Sequence, residues 1–96
     1  MQFKQLKQEL ETLFSKIKET SSDGDSPELE DVKRFVRLCS QMQAQAPEEW
    51  AFEADDFTHL ANELLQGVKQ GQIQDVFPLI QSLEDAQQYC HRLFRD

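Results

Sequence analysis

Apolar side chains recur every three or four positions in four separate segments of the chain. On an α-helix this spacing brings them to one face, which the helix buries against its neighbours. The pattern therefore predicts four helices, at about residues 2–20, 27–46, 56–70 and 73–95. The predicted buried faces are Phe3, Leu6, Leu10, Leu13, Phe14 and Ile17 in the first helix, Leu29, Val32, Phe35, Val36, Cys39 and Met42 in the second, Phe57, Leu60, Ala61, Leu64, Leu65 and Val68 in the third, and Ile73, Val76, Ile80, Leu83, Gln87, Cys90 and Phe94 in the fourth.

Capping and turn-forming residues indicate where these helices begin and end. Ser26 is a suitable N-cap for the second helix, and Pro27 suits its first position, where the N–H that proline lacks has no helical partner. Asp55 or Asp56 can cap the third helix, because the segment "APEEWAFEAD" before it breaks the periodicity. Gly71 then closes the third helix as a C-terminal cap residue.

Four amphipathic helices joined by short loops predict an all-α fold, an antiparallel up-down-up-down four-helix bundle. The 96 residues suffice for one core, so we assign 1–96 to a single domain. The chain contains only three glycines and three prolines, which argues against many short strands. We expect Pro78 near the first turn of the fourth helix, because further in it would remove a backbone hydrogen bond.

The acidic charge of the chain narrows the range of partners. With a net charge of −8 and a pI near 4.6, the surface repels phosphate backbones and anionic lipid. We therefore expect no binding to nucleic acid or to membranes. The expected partner is another protein, because an acidic surface steers basic proteins towards it. We expect the chain itself to be a monomer or a weak dimer.

Neither a signal peptide nor a membrane-spanning segment is visible in the sequence. The amino terminus, "MQFKQLKQELETLF", has no basic region followed by an apolar stretch, and no run approaches the roughly 18 apolar residues that span a bilayer. The two cysteines, Cys39 and Cys90, stand far apart, which favours reduced thiols. These features predict a cytoplasmic protein.

Candidate chemistry is concentrated near the carboxyl terminus. Cys90 and His91 form the second half of the haem-attachment motif C-x-x-C-H, but Gln87 stands where the first cysteine belongs. Gln87 and Cys90 lie one turn apart on the predicted inward face, and His91 lies at its border. A buried glutamine amide needs partners, so Gln87 indicates a specific hydrogen bond, a cavity or a bundle end open to water.

Three interpretations of Cys90 and His91 remain open. The favoured one is a core thiol beside a boundary histidine, since buried cysteine commonly behaves as a small hydrophobe. The second is haem binding, and the third is another metal or redox role. A zinc site shared with Cys39 is disfavoured, because structural zinc usually uses close ligand pairs such as C-x-x-C.

The segment "LANELLQGVKQGQIQDVFPLIQSLEDAQQYCHRLFR" resembles the soluble b-type cytochromes and the cytochromes c-prime. It shares their glycine-bearing turn before the last helix and a histidine near the end of that helix. The Cys-His ending without a first cysteine also resembles the small bacterial proteins grouped as the XXXCH domain, a label that implies no known activity. The cytochrome resemblance implies a four-helix bundle with His91 as an axial ligand of haem iron and Cys90 beside it.

Two departures from the cytochrome pattern favour a protein without haem. Lys7 stands where the b-type relatives have their methionine ligand, and Gln87 cannot form the thioether of the c-prime relatives. Covalent attachment is also a chemistry of exported proteins. A haem-free core would be filled by aromatic side chains, for which we predict Phe3, Phe35, Phe57 and Phe77.

Trp50 and Phe52 are the candidate interaction residues on the surface. They lie in the acidic segment "PEEWAFEAD", and aromatic side chains ringed by charge are typical of interface hot spots. The alternative, which we favour on sequence alone, is that they cover the open end of the bundle. His59 is predicted to be an exposed helical histidine. A phosphotransfer role is the alternative, but "HLANE" lacks the basic residue and the glycine that usually follow such a histidine.

No serine–histidine–acid set, phosphate-binding glycine loop or pair of inward carboxylates can be assembled, so we predict no enzyme. The leading hypothesis is a small cytosolic binding or interaction module without a cofactor. The competing hypothesis is a haem-binding bundle, a sensor or electron-transfer-like protein, with His91 on the iron.

Overall fold

The computed structural model describes residues 3–93, and within them the side chains of 4–72 and 74–88. It contains four α-helices: α1 (Phe3–Ser22), α2 (Leu29–Gln45), α3 (Ala51–Lys69) and α4 (Ile73–Leu93). A short 3₁₀ turn, Glu48–Trp50, connects α2 to α3. No strand occurs among the described residues, which confirms the prediction of an all-α fold.

The helices form an antiparallel four-helix bundle in which each helix packs on the next. Thr58 on α3 donates a hydrogen bond to the carbonyl of Cys39 on α2, with 3.3 Å between oxygens, and ties the two central helices together. Within 3–93, α1 and α4 have no comparably extensive backbone contact. Their side chains meet instead, as in the Lys18–Glu84 ion pair at 3.9 Å.

This topology brings the start of α1, the end of α2, the start of α3 and the end of α4 to one end of the bundle. We call it the Trp50 end, because the connection that contains Trp50 crosses it. None of the helices, over the part of the chain described, is both long and apolar enough to cross a bilayer.

Three phenylalanines from three helices form the centre of the core. Phe14 and Phe35 stack with ring centroids 5.4 Å apart, and Phe57 meets them edge-on at 6.5 Å and 6.0 Å. Such pairs stabilise a core beyond the area that they bury. The other buried apolar side chains are Leu6, Leu10, Ile17, Val32, Leu38, Cys39, Ala54, Ala61, Leu64, Val76, Ile80 and Leu83.

The predicted aromatic core was therefore wrong in one of its members. Phe77 is 37% exposed, because it follows the buried Val76 by about 100° around α4. Phe14, which was expected only to widen the stripe of α1, takes the central place. The side chain of Phe3 lies outside the described part of the chain.

Two predicted helix starts were also wrong. α3 begins at Ala51, so Asp55 and Asp56 lie inside it as exposed residues and cap nothing. The apolar face continues back from Phe57 to Ala54, a small residue that carried little weight in the pattern. α2 begins at Leu29, and the hydroxyl of Ser26 contacts the Pro27 carbonyl at 3.5 Å rather than a helix N–H.

The predicted C-terminal cap of α3 is confirmed. Gly71 has φ 69°, in the left-handed region that favours glycine. The N–H of Gln72 donates to the carbonyl of Gly67 at 2.9 Å, and that of Gly71 donates to Val68 at 3.2 Å. This pair of hydrogen bonds is the Schellman motif, which satisfies carbonyls at the helix end.

Pro78 lies inside α4, close to its start. The helix begins at Ile73, as predicted, so Pro78 falls in the second turn, just past the first turn near which it was expected. Since proline has no N–H, the helix lacks the hydrogen bond from this position to the carbonyl of Gln74.

Candidate ligand pocket at the Trp50 end

A small pocket opens at the Trp50 end, and all four helices contribute to its lining. Its volume is about 90 Å³. The lining residues are Lys7, Leu10 and Glu11 of α1, Met42 of α2 with Ala46 after it, Trp50, then Glu53, Ala54 and Phe57 of α3, and Gln87 of α4.

The space exists because small side chains stand where the helices converge. Ala46 and Ala54 lie at the end of α2 and near the start of α3, and both line the pocket. Leu10 and Phe57 form the deeper, buried part of the lining. Met42 completes it with a flexible thioether that adapts to an irregular neighbour.

Trp50 and Lys7 face each other at the pocket. Trp50 is half-buried, and the Nζ atom of Lys7 lies 5.4 Å from the centroid of its ring. This distance is within the range of a cation–π interaction. The aromatic face of Trp50 therefore already accepts an ammonium group.

Glu53 contributes a carboxylate to the lining. Its Oε2 atom is shielded from solvent and accepts no hydrogen bond within the described part of the chain. An unsatisfied buried acceptor typically costs about 1–3 kcal/mol, and a charged one costs more. A donor supplied by a ligand would remove that cost.

Gln87 belongs to this pocket, where the sequence predicted a polar residue on the inward face of the last helix. It is half-buried and lines the cavity at the bundle end. The sequence offered a hydrogen bond, a cavity or an open bundle end as the reason for this glutamine. The structure places Gln87 at a cavity that lies at the end of the bundle. The side chains of Cys90 and His91, one turn further along α4, lie outside the described residues, and the structure does not place the proposed haem ligand.

The pocket that the described residues enclose is smaller than a typical cofactor site. Sites for cofactors and drug-sized ligands usually enclose about 300–1,000 Å³, several times the 90 Å³ found here. Lys7 and Gln87, the two departures from the cytochrome pattern, both line it. A porphyrin would have to displace these side chains or Trp50.

Cys39 lies in the core and is not part of the pocket lining. It is a free thiol with no exposed surface, and burial raises the pKa of that thiol far above its usual range. A thiol held protonated is neither a nucleophile nor a metal ligand. Among the residues that the structure describes, no three of His, Cys, Asp or Glu cluster in a way that could hold a metal ion.

Phe52 differs from Trp50 in its position. It lies in the first turn of α3 with 76% of its surface exposed, and it is not part of the pocket lining. Trp50 thus forms a pocket wall, while Phe52 presents an aromatic ring to solvent at the same end of the bundle.

The prediction that His59 is exposed is confirmed, since it is a surface residue whose Nε2 lies 3.3 Å from Glu63.

Sequence reasoning missed Glu53 and the two alanines as parts of the site. A carboxylate at the start of a helix is ordinarily a solvated residue, and nothing in the pattern distinguishes Glu53 from Glu48 or Glu49. The available signal was the pair Ala46 and Ala54, small residues at helix ends on the buried side.

Comparison of the chain with protein-family models, with curated proteins and with solved structures finds no match. The resemblance to cytochromes and to the XXXCH domain therefore remains a hypothesis.

Proposed function

We propose that this chain is a cytoplasmic, haem-free binding module that holds another protein at its Trp50 end. The observation that carries the proposal is the pocket built by all four helices, with Trp50 as one wall. Phe52 adds an exposed aromatic ring beside it.

The dimensions of the site favour a protein partner. A dry cavity of about 150 Å³ holds a molecule such as benzene, so a pocket of about 90 Å³ has room for roughly one side chain. Hot spots at protein interfaces have this form, with an anchor residue in a pocket and aromatic residues around it. The exposed ring of Phe52 supplies such a neighbour.

The small pocket also supports the haem-free form over the haem-binding alternative. A porphyrin in this pocket would have to displace Lys7, Gln87 or Trp50, which line it.

Capture of partners from cells of the native host tests this proposal. We expect the Phe52→Ala variant to capture at least tenfold less of the partner protein than the unaltered chain does. The reason is that the substitution removes an exposed aromatic contact. Phe77→Ala is the matched control, since Phe77 is also exposed but lies near the start of α4, away from the Trp50 end. Equal retention by both variants would contradict the proposal.

A further inference from the structure

We infer that the pocket takes a lysine side chain from a basic segment of the partner. The inference rests on the proposed binding function and adds the chemistry of the anchoring residue. Three independent features of the pocket support it: an aromatic face that already holds an ammonium group, a shielded carboxylate oxygen with no donor among the described residues, and an apolar lining that matches an alkyl chain.

The first feature is the face of Trp50. An ammonium group is attracted to the negative face of an indole ring, and tryptophan is the best aromatic partner for it. In this protein the Nζ atom of Lys7 lies 5.4 Å from the Trp50 centroid. The position where a partner's ammonium would bind is thus marked by the protein's own lysine, which an incoming lysine would replace.

The second feature is Glu53. Its Oε2 atom is shielded, lines the pocket and accepts no hydrogen bond from the described residues. A lysine ammonium carries three donors, and a charge-assisted hydrogen bond to a carboxylate is stronger than a neutral one. An apolar anchor would leave this oxygen without a donor, and for this reason we favour a cationic anchor.

The third feature is the apolar lining. Lysine buries its four-carbon stem along apolar surface while its charged end stays with polar partners. Leu10, Met42 and Phe57 provide that surface, whereas Trp50 and Glu53 provide the polar partners. The volume of about 90 Å³ matches one unbranched side chain.

The charge around the pocket favours a basic segment as the carrier of that lysine. The net charge is −8, and five carboxylates but no lysine or arginine occur between residues 47 and 58. These carboxylates are Glu48, Glu49, Glu53, Asp55 and Asp56. A field of one sign steers an oppositely charged partner and raises its association rate.

Titration with two synthetic peptides tests the inference. Both are capped heptapeptides with one arginine on each side of the central residue, which is lysine in one and norleucine in the other. Norleucine keeps the alkyl stem and lacks the ammonium group. Trp50 is the only tryptophan of the chain, so its fluorescence reports binding at this pocket directly. We expect the lysine peptide to bind at least fivefold more tightly.

A pair of variants separates the pocket from the general surface charge. Glu53→Gln removes the pocket carboxylate, whereas Glu49→Gln removes the same charge from an exposed position in the 3₁₀ turn. We expect Glu53→Gln to weaken binding of the lysine peptide at least fivefold and Glu49→Gln to weaken it less than twofold. Circular dichroism of each variant verifies that the bundle is folded.

Three results would overturn the inference. If norleucine binds as tightly as lysine, the anchor is apolar, and the proposed binding function stands without this inference. Equal effects of Glu53→Gln and Glu49→Gln would mean that only surface charge attracts the peptide. If neither peptide changes the fluorescence of Trp50, the pocket is not a lysine site, and the proposed function is then judged by the Phe52→Ala capture alone.

Discussion

Cys39 is a cysteine whose side chain packs in the core of the bundle. Its side chain is fully buried between α2 and its neighbours, and its carbonyl accepts the hydrogen bond from Thr58. Burial disfavours the thiolate, so the pKa of the Cys39 thiol lies far above its usual range. The residue therefore stabilises the fold as long as it remains protonated.

This burial predicts a pH dependence of stability. In the unfolded chain a cysteine thiol ionises near pH 8.5, whereas in the folded protein Cys39 stays protonated well above that pH. The unfolded state thus binds fewer protons above pH 8.5, and the free energy of unfolding falls by up to about 1.4 kcal/mol per pH unit from this group. Below pH 8.5 both states are protonated, and the contribution of the thiol to stability is fully present.

Urea unfolding at pH 7, 8.5 and 10 measures this effect. We expect the protein to lose about 1–2 kcal/mol more between pH 8.5 and 10 than the Cys39→Ala variant does. Because all other titrating groups are shared, the difference isolates Cys39. Parallel pH profiles for the two proteins would show that the thiol is not shielded from ionisation.

At the scale of the helices, the turn after α3 depends on one backbone conformation. Gly71 has φ 69°, and a Cβ placed on it would meet no atom within 4 Å. The cost of a side chain there is therefore backbone strain and not a clash. A left-handed conformation costs an L-residue about 1–2 kcal/mol.

We accordingly expect Gly71→Ala to reduce the free energy of unfolding by about 1–2 kcal/mol, as measured by urea denaturation. Gln70→Ala is the control, because Gln70 is exposed and has φ −89°, which any residue adopts. That control should change stability by less than about 0.5 kcal/mol. A Gly71→Ala protein as stable as the control would contradict the assigned cap.

The elements that the sequence predicted best are those with large apolar side chains at every turn. α1 and the middle of α2 follow from Leu6, Leu10, Val32 and Phe35 at regular spacing. The start of α3 could not be predicted in this way. Its first turn, Ala51–Ala54, contains Phe52 on the exposed side and only an alanine on the buried side, so the period is visible only after the fold is known.

At the scale of the whole molecule, the pocket results from what the four helices leave unfilled. The sequence could place Gln87 and Trp50 at helix ends, but a volume depends on how far each helix lies from the next. α1 and α4 lack extensive backbone contact over residues 3–93, and Ala46 and Ala54 are too small to fill the space that remains. No local pattern encodes that distance.

The same geometry defines the central claim, that the Trp50 end is a surface for another protein. There the bundle presents an exposed phenylalanine, a tryptophan-walled pocket and an acidic segment together. The opposite end carries Gly24 and Gly71 in its two turns. A partner bound at this end lies close to Phe52.

Photo-crosslinking in the native host tests directly whether a partner lies close to Phe52. A photoreactive phenylalanine analogue is placed at position 52 and, as the control, at position 77, which are both exposed. We expect a discrete crosslinked protein from position 52 and none from position 77. Crosslinking from position 77 alone, or none from position 52, would contradict the claim that the Trp50 end binds a partner.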